Sequence, residues 1–411
     1  MSLYGWGLRY GGPGENGWGW PIVSIFTLCI AACMAEIASA YPTAGGLYYW
    51  ASVLGNRHWG WWTAWLNLGG LVTAVAGINW AAAAFFNSIV LQAIFGMAPD
   101  LGTQVIVMAG ITLVQVLINV FGIALVAFLN QLSVWVHVFG VLAIALLMFL
   151  FARFRNGIGF PFQIAPGDPG LAANPPFWGV FGVLGAFLLG LLQAQWIYTA
   201  AGTPAVAYAL IANLQELGVF LSFVIVVAMF LCGMSAIAST GRMVFVFARD
   251  GGMPFSDFFS HGSKSQRVPD VAYVTARGDA FALTRTIGAI TGMSTALLYW
   301  AYGAPILLGL RSDEWRSRRT WSLGNLSRVY GSISMIWIVI ISILFLWRPD
   351  NEYAFQGTAG FLVLLVLYYV FWAARNFKGP RAMRPEELVA RELEVGERHP
   401  GGAAPGGVTA R

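Results

Sequence analysis

Long apolar runs, each closed by a short polar or basic cluster, recur from near Trp20 to Ala374. They cover residues 20–40, 60–94, 103–124, 126–152, 177–199, 217–248, 286–310, 330–347 and 356–374. A helix needs about 20 apolar residues to cross a hydrocarbon core of about 30 Å, so the pattern predicts about nine spans, with 60–94 one long or bent helix. Barrel strands would alternate with period two, and these runs do not. The fold class expected is an all-α polytopic membrane protein. Residues 153–175 read as a Gly/Pro-rich loop, and 376–411 as a polar tail, largely disordered, with a short helix over 385–397.

Composition agrees. The 411 residues are 58% hydrophobic and 10% charged, with eighteen Trp, against about 25% charged residues in a soluble domain. The net charge of +5 is spread over short clusters between the apolar runs and in the tail, which reports topology and not nucleic-acid binding. Cys29, Cys33 and Cys232 lie inside apolar runs and read as small buried hydrophobes. HExxH, GxSxG and GxxxxGK[ST] patterns are absent, and Gly11-Gly12-Pro13-Gly14 opens no Rossmann unit, so neither an enzyme nor a cofactor is predicted.

Basic clusters at Arg249/Lys264/Arg267, Arg311/Arg316/Arg318/Arg319 and Arg375/Lys378/Arg381/Arg384 place those segments in the cytoplasm. Segments on one side are separated by an even number of crossings. Two spans separate the second and third clusters, as required. Between the first and second only 286–310 is strong, because 269–283 carries Asp270, Arg277 and Asp279. From the Tyr41–His58 turn to Arg249 the apolar runs number five, which is odd. Two crossings are therefore expected to be lacking, and Met1–Tyr10 reads as only the second half of a helix.

The Met34–Trp50 segment, MAEIASAYPTAGGLYYW, marks a membrane boundary. Glu36 would cost about 2.5 kcal/mol or more at mid-bilayer, and Pro42 with Gly45-Gly46 breaks a regular helix. Tyr48, Tyr49 and Trp50 suit an interfacial aromatic belt. Together with Asn130–His137 (NQLSVWVH), Gln193–Thr199 (QAQWIYT), Gly241-Arg242-Met243 and Phe247–Pro254 (FARDGGMP), this segment resembles the amino acid permease family of the amino acid/polyamine/organocation superfamily. The closest likeness is to the branch that carries GABA, choline and related amines.

That resemblance implies a LeuT-like inverted-repeat transporter of about twelve helices, working by alternating access in the inner or plasma membrane. Substrate, an amino acid or amine, would sit at the midplane where helices one and six unwind, with Na⁺ or H⁺ as coupling ion. The same likeness makes residues 1–375 an incomplete permease domain, lacking the first half of helix one, helix seven with the segment before it, and most of helix nine. The alternative is a transport-incompetent or partner-binding membrane protein. Glu36, Pro42, Gly45 and Gly46 become the cytoplasmic turn between helices two and three, and Arg242, Arg249 and Asp250 the cytoplasmic end of helix eight, all in structural or gating roles.

Polar groups at lipid depth are the site candidates, since they are costly unless paired or facing a cavity. Gln193, Gln195, Tyr198 and Thr199 fall on the unwound sixth-helix equivalent, faced by Tyr4, Gly5 and Trp6; hydrogen bonding between helices is the competing role. Aromatic faces here could hold an ammonium group by cation–π attraction, or serve packing alone. Ser235 and Ser239 share a helical face where sodium-coupled relatives hold their ion, or back-bond to the preceding turn. His137 could titrate, or be a satisfied structural histidine.

Overall fold

A computed structural model describes residues 4–43, 45–98, 100–121, 123–151, 156–173, 182–197, 214, 216–260, 287–346 and 352–380. It is helical throughout, with no strand among the described residues. In chain order the helices are α1 (Tyr4–Tyr10), α2 (Trp20–Ala40), α3 (Gly46–Leu54), α4 (Arg57–Phe86), α5 (Leu101–Phe121), α6 (Ile123–Phe151), α7 (Pro169–Ala173), α8 (Val183–Gly190) and α9 (Leu192–Ile197). They continue as α10 (Glu216–Arg249), α11 (Ser256–Phe259), α12 (Ile287–Arg311), α13 (Ser327–Leu346), α14 (Glu352–Tyr368) and α15 (Ala374–Asn376).

Eight of these, counted among the described residues, are long and apolar enough to cross a bilayer. They match eight of the nine apolar runs. The ninth run, 177–199, is not one helix: its described part consists of α8 and α9, separated at Leu191. Among the described residues four long spans lie between the Tyr41–His58 turn and Arg249, and residues 174–181 and 198–213, on either side of α8 and α9, lie outside those described. The count between the first and second basic clusters turns on residues 261–286, which lie outside those described, as do Arg153, Arg155 and the tail beyond Pro380.

Two boundaries differ from expectation. The first span begins at Glu15, because a π-turn over Glu15–Gly19 leads into α2 without a break. The Pro/Gly-rich turn contains a helix of its own, α3, which buries Tyr48, Tyr49 and Trp50 inside the protein instead of leaving them in an interfacial belt. Two of their polar tips find protein partners there: the Trp50 indole donates to Tyr41 O at 2.8 Å, and the Tyr48 hydroxyl to Asp250 Oδ2 at 3.2 Å. Cys29 and Cys33 are buried, Cys232 is half-buried, and all three are free thiols.

The bundle is built around α4 and α12, which pack along each other and are largely buried, while α5, α6 and α14 turn most of their surface outward. Small residues permit the close approach, as expected where dispersion and hydrogen bonds replace the hydrophobic effect. Gly70 lies against Leu298, and Ser294 donates to Gly70 O at 2.9 Å. α5 starts on a capped turn: the Thr103 N–H donates to Asp100 Oδ1 at 2.9 Å. A bond from the Thr103 hydroxyl, the stronger of the two, and that backbone bond hold the Asp100 carboxyl below its ordinary range.

The described members of the basic clusters lie at one end of the bundle. Glu36, near the end of α2, is 1% exposed and accepts from the Arg319 guanidinium, from Leu323 N–H at 3.2 Å and from the Ser327 hydroxyl at 2.6 Å. Ser39 exchanges hydrogen bonds with the Trp321 backbone at 3.0 and 3.2 Å. A cavity of about 10 Å³, about the size of one water, lies between Cys33, Glu36, Trp315 and Ser327. At the same end Trp61 donates to Gly252 O at 3.0 Å, Tyr369 pairs with His58 Nδ1 at 2.9 Å, and Phe377 packs on Tyr48 and Phe247. Burial, and then the Asp250 charge, push the Tyr48 hydroxyl above the usual tyrosine range.

At the other end, residues 160–168 lie across the turn that joins α1 to α2. The contacts are main-chain: Gly14 N to Gln163 O at 2.8 Å, Ala165 N to Gly11 O at 3.3 Å and Gly167 N to Leu8 O at 3.0 Å. Gly12, at φ +67°, passes so close to Ala165 O that any Cβ there would clash. The exposed Arg9–Asp168 pair, 3.1 Å apart, closes this strap. The strap and the Glu36–Arg319 contacts thus lie at opposite ends of α2.

Candidate substrate site

α1, described from Tyr4 to Tyr10, packs against α8 and α9. The break between α8 and α9 changes what the backbone can offer. Leu189 O, in the last turn of α8, accepts the Trp6 indole N–H at 3.1 Å, and Trp6 stacks on Tyr10 with ring centroids 4.5 Å apart. Gly5, next to Trp6, is exposed, and a Cβ added there would meet nothing within 4 Å. Gln195, on α9, is 0% exposed, yet among the described residues neither its Oε1 nor its Nε2 has a partner. An unpaired amide at this depth costs of order 1–3 kcal/mol, so two free hydrogen-bonding atoms are held beside a helix break and an aromatic pair.

Of the residues singled out in the sequence, Gly5 and Trp6 lie on α1, which packs against α9, the helix that carries Gln195. Tyr4 lies on α1 and Gln193 on α9, but their side chains fall outside the described set, as do Tyr198 and Thr199 altogether. Ser235 and Ser239 stand elsewhere. Ser235 donates towards Asn130 Oδ1 at 2.6 Å and Leu231 O at 2.9 Å, while Ser239 bonds back to Ser235 O at 3.0 Å. His137 meets Ser133 O at 2.7 Å. Among the described residues no three His, Cys, Asp or Glu side chains converge as a metal site.

Of the cytoplasmic residues, Glu36 holds the Arg319 loop, and Asp250 joins Tyr48 to Arg249, whose Nε lies 3.2 Å from Asp250 Oδ1. Gly46, the first residue of α3, sits at φ +48°. Pro42 is exposed, Gly45 lies over Tyr49, and Arg242 projects outward near the end of α10.

Two sets of buried polar groups were not singled out in the sequence. The first joins α4, α5 and α10: Asn79 donates to Thr112 Oγ1 at 2.8 Å and Gln115 to Phe230 O at 2.9 Å, leaving Asn79 Oδ1 and Gln115 Oε1 without partners over Gly233. The second is Glu15, 1% exposed with both carboxyl oxygens unpartnered. Gly11, Gly12, Gly14, Gly17 and Gly19 surround it in sequence, and that crowding of small residues about one acid is the signal that could have found it.

The sequence profile of the amino acid permease family matches residues 7–210 and 201–374. The two segments overlap over residues 201–210, just after Tyr198-Thr199. The chain is similar to the amino-acid permease BAT1 of Arabidopsis thaliana, 28% identical over 469 residues that cover 92% of this chain and 89% of that protein. It is also similar to the BAT1 homolog of Oryza sativa subsp. japonica, at 23% identity over 92% of this chain and 88% of the relative. Amino-acid permease 2 of Neurospora crassa is 25% identical over 94% of this chain and 83% of the relative. The Arabidopsis alignment is longer than the 411 residues present here, so that relative carries segments with no counterpart in this chain. A profile match over most of the length, on a bundle of long apolar helices, means that the chain belongs to the amino acid permease family, a family of multi-pass transporters in the cell membrane.

Proposed function

We propose that this chain moves an amino acid or a related amine, of the GABA and choline type, across the membrane by alternating access. Substrate is taken between α1 and the α8–α9 break. The observation that carries the reading is the Trp6 indole on Leu189 O: it pins a short helix against a broken one, so backbone dipoles and an aromatic face converge on one place. The Trp6–Tyr10 stack suits a cationic nitrogen, an attraction of about 2 kcal/mol when desolvated, and the Gln195 amide supplies a donor and an acceptor for a carboxylate or amine. Sodium ion or proton would drive the cycle.

Reconstitution of the full chain in proteoliposomes, followed by counterflow of labelled GABA, choline and amino acids, tests this. Exchange with at least one of them is expected; none with any of them overturns the reading. A transport-incompetent membrane protein is the second reading, favoured by the split profile match and the relatives' extra segments.

A further inference from the structure

The carboxyl of Glu15 is enclosed as few acidic groups are. It lies at the start of the first span, under the 160–168 strap. Three glycines from separate places form its walls. A Cβ added at Gly11 or at Gly190 would overlap Glu15 Oε1, and one at Gly19 would stand 2.7 Å from Oε2. No methyl group fits on any of those faces. Gly190 is also the last residue of α8, so the acid abuts the same helix break that holds the candidate substrate site.

Charged groups on the elements packed around it are few. α1 brings Arg9 and Tyr10; Arg9 is exposed and bound to Asp168 of the strap. The strap turn Phe160–Phe162, α8 and α9 carry no titratable side chain, and Glu36 stands at the opposite end of α2. Among the described residues neither Glu15 oxygen has a hydrogen-bond partner. An ionised carboxylate cannot be held so without a counter-ion, whereas the neutral acid can, and the glycine walls leave no room for a metal cation with its shell of oxygens.

We propose that Glu15 is the proton-binding site of the transport cycle: the carboxylate takes up H⁺ when the strap exposes it to the outside and releases the same H⁺ to the cytoplasmic side when the cycle opens inward. No other bond forms or breaks. The assignment rests on the permease reading and names its coupling ion. The nearby break at Gly190–Leu191 links the two sites, because closure of α8 and α9 around substrate also closes the cage around the acid.

The test uses the full chain and two measurements. In proteoliposomes with an inward proton gradient, wild-type protein should concentrate labelled substrate and acidify the lumen, while Glu15→Gln should lose at least tenfold of that accumulation yet keep counterflow, with Glu15→Asp restoring part of it. Gradient-driven accumulation by Glu15→Gln equal to wild type overturns the proposal; absence of counterflow in wild type overturns the permease reading instead. Infrared difference spectra across a pH step, which need no transport, should then show a carboxylic C=O band, shifted in D₂O, that is absent from Glu15→Gln. Identical spectra for the two proteins overturn the proton site on their own.

Discussion

The Ser327 hydroxyl lies 2.6 Å from Glu36 Oε2, tying the end of α2 to the start of α13 across nearly three hundred residues. With Arg319 and Leu323 N–H on the other oxygen, the carboxylate is satisfied on both sides while almost wholly buried. Removing one partner of such a buried pair costs about 3–5 kcal/mol, whereas a single neutral hydrogen bond is worth about 1 kcal/mol. Glu36→Ala should therefore lower the Tm of the detergent-purified protein by several degrees and Ser327→Ala by much less. Equal shifts would show that the ion pair contributes no more than the hydroxyl.

Tyr48 supplies a pH dependence. Its folded-state value is raised, by burial and then by Asp250, above the ordinary tyrosine value of about 10. The stability it lends is fully present below about pH 10 and is lost as pH rises beyond it, because the unfolded chain releases that proton first. Scanning Tm from about pH 8 to 11 should show a decline above about pH 10 that is shallower in Tyr48→Phe. A decline of the same steepness in both proteins would place the alkaline sensitivity elsewhere.

Gly233 holds open the contact between α10 and the polar pair Asn79 and Gln115. A Cβ there would come within 2.5 Å of Gln115 Nε2 and 2.6 Å of Asn79 Oδ1. Gly233→Ala should destabilise by about 1–3 kcal/mol through overpacking. Gly110, where an added Cβ meets nothing within 4 Å, is the control: Gly110→Ala should be neutral or slightly stabilising. Equal stability of the two variants in a thermal or denaturant assay would contradict the packing described.

Trp6→Phe keeps an aromatic ring but removes the donor to Leu189 O. Counterflow should fall about fivefold, the equivalent of one hydrogen bond of about 1 kcal/mol, with Tm little changed. The exposed Arg9–Asp168 pair is worth less, since surface ion pairs contribute about 0–1 kcal/mol, so Asp168→Asn should leave Tm within about a degree. A larger loss of counterflow for Asp168→Asn than for Trp6→Phe would make the strap, and not the indole, the organising contact.

Eight spans were legible because about twenty consecutive apolar residues have one solution in hydrocarbon, whatever they pack against. The break at Leu191 was not: the apolar run continues from Val183 through Leu192, and hydropathy cannot distinguish one helix from two short ones when every residue is apolar. α3 was hidden for the opposite reason. Pro42, Gly45 and Gly46 signal a turn, and they do make one, but the nine residues from Gly46 onward are free to be helical and are. Trp6 and Gln195 were singled out by a family pattern, whereas the packing of Glu15 on Gly190 and of the Asn79–Gln115 pair on Gly233 joins glycines that no local window contains.

α6 runs through 29 residues and leaves most of them exposed, meeting α10 along one side. At about 1.5 Å per residue it is roughly 43 Å long, against a hydrocarbon layer of about 30 Å. Such a helix must lean or thicken the lipid around it, at a cost of fractions of a kcal/mol per Å. Acyl-chain length then becomes a handle on the tilt of α6 and, through Asn130 and Ser235, on the position of α10 beside it.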